Sequence, residues 1–152
     1  MIRSPVEILL VEDNPGDVRL FKEALSETSI PYHLQSVDDG EKALDLIFNC
    51  DGRATCPDVV ILDINLPKLS GHEVLRAIKQ DARTRTLPVI ILSSSLARSD
   101  VQEAYESNAN CYLQKPNNLE DLFRVVFAIE SFWLNTAQLP AALDPLPNQV
   151  PN

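Results

Sequence analysis

Positive charge is scarce in this sequence. Lys plus Arg number 13 against 22 Asp plus Glu, a formal net charge of -9. A protein that grips a phosphate backbone needs the opposite surplus, so nucleic acid is excluded as a partner. Long apolar runs are missing too. Nothing approaches the ~18 residues of a membrane span, and Met1-Ile2-Arg3-Ser4-Pro5 lacks the apolar stretch of a secretory signal. Cysteine is sparse: Cys50, Cys56 and Cys111 are odd in number and scattered. With no export signal they are expected to be reduced thiols of a cytoplasmic protein, Cys50 and Cys56 being six apart in a loop and inert even if they meet. The only histidines, His33 and His72, have no companion at metal-ligand spacing and are expected at the surface. No glycine-rich phosphate loop follows the first apolar run. That position reads Glu12-Asp13-Asn14-Pro15-Gly16, and its carboxylates would repel the phosphate of a flavin or dinucleotide.

The chain that remains is 152 residues long and 45% hydrophobic, the size and composition of one globular domain. Such a domain buries about 68–70% of its unfolded surface and needs neither disulfide nor metal to fold. Short apolar runs at 6–11, 58–63, 89–92 and 111–114 read as buried strands, and the weak alternation of 32–37 reads as an edge strand. Between them apolar residues recur at helical spacing. Helices are predicted from about Asp17, after the turn Asp38-Asp39-Gly40, from Gly71-His72, over 100–107 and over 119–134. This β-α alternation, repeated five times, predicts parallel strands joined by right-handed crossovers, with helices on both faces. No internal repeat or linker interrupts 1–137. Residues 138–152 carry four prolines (140, 145, 147 and 151) and are expected to form an extended tail after a domain spanning 5–137.

Chemistry in open parallel sheets gathers at the carboxyl ends of the strands. Here those ends carry Glu12-Asp13 after the first strand, Asp63 after the third, Ser93 after the fourth and Lys115-Pro116 after the fifth. Taken singly, a strand-end Asp is usually a cap, a Ser bonds to backbone and a Lys is solvated. The conjunction points elsewhere. If the first and third strands are neighbours, three carboxylates converge on one pocket, and each raises the pKa of the others unless a cation neutralises them. Hard oxygen ligands in small number suit Mg²⁺.

The residues that make up this set also make the chain recognisable. Leu10-Val11-Glu12-Asp13-Asn14, Val60-Ile61-Leu62-Asp63-Ile64-Asn65-Leu66-Pro67 with Gly71, Pro88-Val89-Ile90-Ile91-Leu92-Ser93 and Tyr112-Leu113-Gln114-Lys115-Pro116 resemble the receiver domain of two-component response regulators, the CheY-like family. The likeness covers about 5–134. The ending Glu130-Ser131-Phe132-Trp133-Leu134, with its Pro-containing tail, resembles stand-alone regulators that partner phytochrome-type histidine kinases. The resemblance implies a flavodoxin-like (βα)5 doubly wound sheet of strand order 2-1-3-4-5. It implies a phosphoryl group received on Asp63 from a phosphohistidine. Asp13, Asp63 and the Asn65 backbone carbonyl would hold Mg²⁺, with Glu12 acting through a water where the family more often has Asp. Ser93 would donate to the phosphoryl group, Lys115 would pair with one of its oxygens through a cis Lys115-Pro116 bond, and Tyr112 would be a switch ring that follows Ser93 inward.

A competing reading is a Mg²⁺-dependent phosphohydrolase of the haloacid dehalogenase type, which also uses a strand-end Asp nucleophile. That family needs an acid/base Asp two residues on, where this chain has Asn65, and a cap domain for which there is no room. The chain is also too short for a DNA-binding output module after 137, so signalling is expected to run through protein–protein contacts. The last predicted helix is apolar nearly all round. Leu119, Leu122, Val126, Ile129 and Trp133 form the expected core stripe, leaving Phe123, Val125, Phe127, Phe132 and Leu134 on other sides. A homodimer clasped through Phe132, Trp133 and Leu134 is the expected cover.

Overall fold

A computed structural model describes residues 5–51 and 55–140. Five parallel strands, β1 (Val6–Val11), β2 (Tyr32–Val37), β3 (Val59–Leu62), β4 (Val89–Ser93) and β5 (Cys111–Gln114), lie in the order β2-β1-β3-β4-β5. The helices between and after them are α1 (Pro15–Leu25), α2 (Gly40–Asn49), α3 (Gly71–Gln80), α4 (Arg98–Glu106) and α5 (Leu119–Ile129). The expected flavodoxin-like (βα)5 topology is therefore the fold.

Strand side chains alternate between two cores. Ile8, Leu10, Val59, Ile61, Ile90 and Leu92 pack beneath α1 and α5, while Leu9, Val11, Val60, Leu62, Val89 and Ile91 pack beneath α2, α3 and α4. Because both faces are covered, the central strands read as unbroken apolar runs. Local signals set the helix starts. The Asn14 side chain accepts from the Asp17 N–H at 3.1 Å, with Pro at the first helical position, and Asp39 accepts from the Lys42 N–H at 2.7 Å. Ser70 and Glu73 form a reciprocal capping box at α3. Helix α4 begins at Arg98, two residues before the expected start, and Ala97 gives it no side-chain cap. No helix among the described residues is long and apolar enough to cross a membrane.

Several expectations are corrected. Helix α5 does not run regularly to 134. It passes at Glu130 into a π-helical segment, Glu130–Thr136. A π-turn spaces inward positions about five residues apart, so the stripe steps from Ile129 to Leu134 rather than to Trp133. Leu134 is 1% exposed in the domain's own core, which removes it as a dimer anchor. Trp133 is half-buried against the same core, edge-on to an exposed Phe132, and Leu119, predicted inside, is exposed. His72 is buried rather than at the surface, because α4 packs over it. The Lys115-Pro116 bond is trans, as are all peptide bonds among the described residues.

Cys50 and Cys56 are not free thiols but a disulfide. Cys50 caps the end of α2 and Cys56 lies on the return toward β3, which brings their Cα atoms to 5.1 Å, within bridging range. Cys111 remains free. A cross-link closing so short a loop restrains the unfolded chain by about 2 kcal/mol. Reduction is expected to lower Tm by about 4–8 °C, measured by thermal melts with and without dithiothreitol. An unchanged Tm would mean that the bridge contributes nothing to folding.

Candidate functional site

The parallel register carries four strand ends to one edge of the sheet. Glu12 and Asp13 follow β1, Asp63 follows β3, Ser93 closes β4 and Lys115 follows β5. Backbone bonds carry this register one step past the strands. The Asp63 N–H donates to the Val11 carbonyl at 3.1 Å, and the Lys115 N–H donates to the Ser93 carbonyl at 2.7 Å. Gly71 makes a second restraint on Asp63. A Cβ at Gly71 would fall 2.2 Å from the Asp63 carbonyl oxygen, so only glycine lets the start of α3 lie against the Asp63 backbone.

Oxygen atoms of Glu12, Asp13 and Asp63 lie within 4.8 Å of one another, which is the convergence the sequence predicted. Glu12 and Asp63 are buried and Asp13 is exposed at the mouth. Into this cluster reaches the Lys115 ammonium, 2.7 Å from Glu12 Oε1, 3.0 Å from Asp17 Oδ2 and 3.3 Å from Asp63 Oδ2. Burial would by itself depress the Lys115 pKa, but the Glu12 hydrogen bond and the charges of Asp63 and Glu12 outweigh it, and the group is held well above its ordinary value. Burial and the nearby Asp63 raise Glu12, against the pull of Lys115. Both Glu12 oxygens are engaged, since Oε2 accepts from the Asn14 N–H at 3.1 Å.

Sequence reasoning missed Asp17. It stands in the first turn of α1, four residues after Asp13, so its helix aims it back at the strand ends. That offset is the signal by which it could have been found. Three carboxylates, Glu12, Asp17 and Asp63, thus pair with one ammonium, and Asp13 joins Glu12 and Asp63 at the mouth. All the side-chain donors are hard oxygens at an open mouth, a set that fits a small divalent cation such as Mg²⁺. Asn65 sits beside it, its N–H donating to Asp63 Oδ1 at 3.4 Å.

On the β4 side, Ser93 is fully buried and its Oγ accepts from the Ser95 N–H at 3.2 Å. The Tyr112 hydroxyl donates to the Ser95 carbonyl at 2.8 Å, so the half-buried ring is tied to the loop that follows Ser93. Ser95 in turn donates to Asp100 of α4 at 2.5 Å, and Asp100 lies 3.1 Å from His72 Nε2 of α3. Phe132, Trp133 and Leu134 lie outside this cluster, in the π-helical segment that extends α5.

Comparison with known proteins agrees with this geometry. The response regulator receiver domain family matches residues 8–127. Response regulator Rcp1 of Synechocystis sp. (strain ATCC 27184 / PCC 6803 / Kazusa) is 44% identical over 91% of this chain and 95% of its own. The Mn²⁺-bound form of Rcp1 superposes with a TM-score of 0.83 at 43% identity, over 90% of this chain and 99% of that one. The phosphorylated cyanobacterial phytochrome response regulator RcpA superposes with a TM-score of 0.85 at 42% identity, with the same coverage. With a family match across most of its length and an acidic pocket at the expected strand ends, this chain belongs to the response regulator receiver domain family.

Proposed function

We propose that this domain accepts a phosphoryl group on Asp63 from the phosphohistidine of a sensor histidine kinase, of the phytochrome type. The single observation that carries the reading is the Lys115 ammonium placed between Asp63 and Glu12 beside the exposed Asp13. An Asp63 carboxylate oxygen attacks phosphorus, the phosphorus–nitrogen bond breaks, and imidazole leaves with the electron pair. Asp13, Asp63 and the Asn65 carbonyl would hold Mg²⁺, with Glu12 acting through a water. The bound ion would supply charge neutralisation and orientation. Lys115 pairs with a phosphoryl oxygen and the Ser93 hydroxyl donates to another. Drawing Ser93 toward the phosphoryl group pulls the Ser95 loop, and with it the Tyr112 ring, so that the readout is a change in protein–protein contact. In this reading the chain is a signalling protein of the cytoplasm rather than an enzyme acting on other substrates. Residues 5–137 are the proposed receiver unit, but Leu139 is buried in its core, so the extended tail expected from 138 does not begin there, and its stretch 141–152 lies outside the described residues. The test is incubation with acetyl phosphate and Mg²⁺, read by intact mass. Stoichiometric gain of one phosphoryl group supports the reading, and no gain overturns it.

The excess of carboxylates over ammonium makes a metal prediction. A cation that binds only the folded state stabilises it by about 2.7 kcal/mol at a hundredfold excess over Kd. Saturating Mg²⁺ is expected to raise Tm by about 5–10 °C. Asp13→Ala should remove that response while raising the Tm of the metal-free protein, because one repulsive charge is gone. Equal melting with and without Mg²⁺ in the parent would count against the pocket.

Homodimerisation is retained in this reading with a smaller anchor set. Phe132 and Phe127 are exposed, 54% and 67%, and Trp133 is half-buried, edge-on to Phe132. Exposed aromatics of this size are the residues that carry interface energy. Sedimentation at tens of micromolar is expected to give a dimer, and Phe132→Ser a monomer that still takes up phosphoryl. A monomeric parent, with and without phosphodonor, would reject the dimer.

A further inference from the structure

Helices α3 and α4 bring together a second set of metal-ligating side chains, which shares no residue with the acidic pocket. His72, in the first turn of α3, has no such companion nearby in sequence, but the packing of α4 on α3 places Asp100 and Glu103 against it. The two acids are three residues apart and so share one face of α4. His72 Nε2 lies 3.1 Å from Asp100 Oδ1 and 3.7 Å from Glu103 Oε1. Ligand atoms about 2.0–2.1 Å from a tetrahedral ion stand about 3.3 Å from one another, and the two observed spacings bracket that value.

Each carboxylate is steadied through its other oxygen. Asp100 Oδ2 accepts from the Ser95 hydroxyl, and Glu103 Oε2 accepts from Arg76 Nη1 at 2.8 Å. Oδ1 and Oε1 are left facing the imidazole with their outer partners already in place, the arrangement that orients ligating carboxylates. The Ser95 hydrogen bond, and after it that of His72, holds the Asp100 carboxyl below its ordinary range, so it is ionised and able to ligate.

His72 is an independent sign of a ligand. Its side chain is only 9% exposed, Nε2 faces both acids, and Nδ1 is buried with no hydrogen-bond partner among the described residues. An apolar side chain would fill that place without orphaning a nitrogen. Asp100 and Glu103 are 31% and 45% exposed, which leaves an ion a path from solvent.

We propose that His72, Asp100 and Glu103 bind a divalent transition-metal ion of the Zn²⁺ class, with water completing the tetrahedron. One imidazole nitrogen and two carboxylate oxygens suit Zn²⁺, whereas Mg²⁺ takes oxygen ligands in an octahedron. The ligating ring is neutral, with its proton on Nδ1, and any proton on Nε2 is released as the ion binds. The ion joins α3 to α4.

The chain has only two histidines, so in the full-length His33→Gln variant the one imidazole signal seen by NMR is that of His72. Zn²⁺ is titrated into this protein in buffer already saturated with Mg²⁺. The His72 signal is expected to shift and to saturate at one Zn²⁺ per chain. Adding Glu103→Gln, a change at a half-exposed position, should weaken that binding about 10- to 100-fold. No shift at an excess of Zn²⁺ would overturn the proposal and leave the cluster an ion-pair tie between two helices. So would equal Zn²⁺ affinity with and without Glu103→Gln, since the ion would then be held elsewhere.

Discussion

Asp63→Asn is expected to abolish phosphoryl uptake completely while leaving the fold in place. An amide oxygen is a poor nucleophile toward phosphorus, and no other carboxylate occupies its position. Asp13 is at the mouth, and Glu12 is held at both oxygens by Lys115 and the Asn14 N–H. The structural cost of the change is small. An asparagine oxygen can still accept the 3.4 Å contact from the Asn65 N–H, and Lys115 keeps its shorter bonds to Glu12 and Asp17. Removing one negative charge from a cluster of four also relieves repulsion, so Tm should hold or rise by a few degrees. Intact mass after incubation with acetyl phosphate and Mg²⁺ gives the answer. A variant that gains the phosphoryl group as fully as the parent would move the acceptor to another residue.

Lys115→Ala has the second large expected effect, and it falls on stability and signalling rather than on phosphoryl uptake. Among the described residues, Lys115 is the one ammonium facing Glu12, Asp17 and Asp63, and its side chain is only 11% exposed. Breaking a buried ion pair from one side typically costs 3–5 kcal/mol, because the partner charge is left behind. The lower end, about 3 kcal/mol, applies because Glu12, already raised by burial and by Asp63, can take up a proton. In metal-free buffer this corresponds to a fall in Tm of about 6–12 °C, partly recovered by Mg²⁺, which replaces the lost positive charge. The phosphoryl group should still be accepted. Its effect on the Ser95 loop and on Tyr112 should be lost, since no ammonium remains to hold the phosphoryl oxygen that Ser93 approaches. Partner binding by the phosphorylated variant equal to that of the parent would overturn this role.

The fold and the acid set were legible because they depend on short-range patterns. Unbroken apolar strands, helical spacing between them and acids at successive strand ends specify a parallel sheet and what stands at its edge. Three features were not legible, each for a physical reason. The inward position of Leu134 depends on a change of helical period after Ile129 that side-chain spacing does not announce. His72 is covered by a helix that lies almost thirty residues further along the chain, and periodicity within α3 cannot report that. Cysteine count and spacing do not announce the Cys50–Cys56 bridge, because the path of the chain between α2 and β3 is what brings the two residues together.

The division of the apolar interior between the two faces of the sheet also orders the steps of folding. The face beneath α2, α3 and α4 draws its buried side chains from Leu9 to Ala109, a contiguous stretch that can close while the rest of the chain is still being synthesised. The face beneath α1 and α5 cannot. It joins Val6 and Phe21 to Leu122, Ile129, Leu134 and Leu139, so its first members wait for almost the last described residues before they are shielded from water. A chain that ends before α5 would therefore leave Val6, Phe21 and their neighbours uncovered, an apolar surface open to a chaperone or to a second unfinished chain.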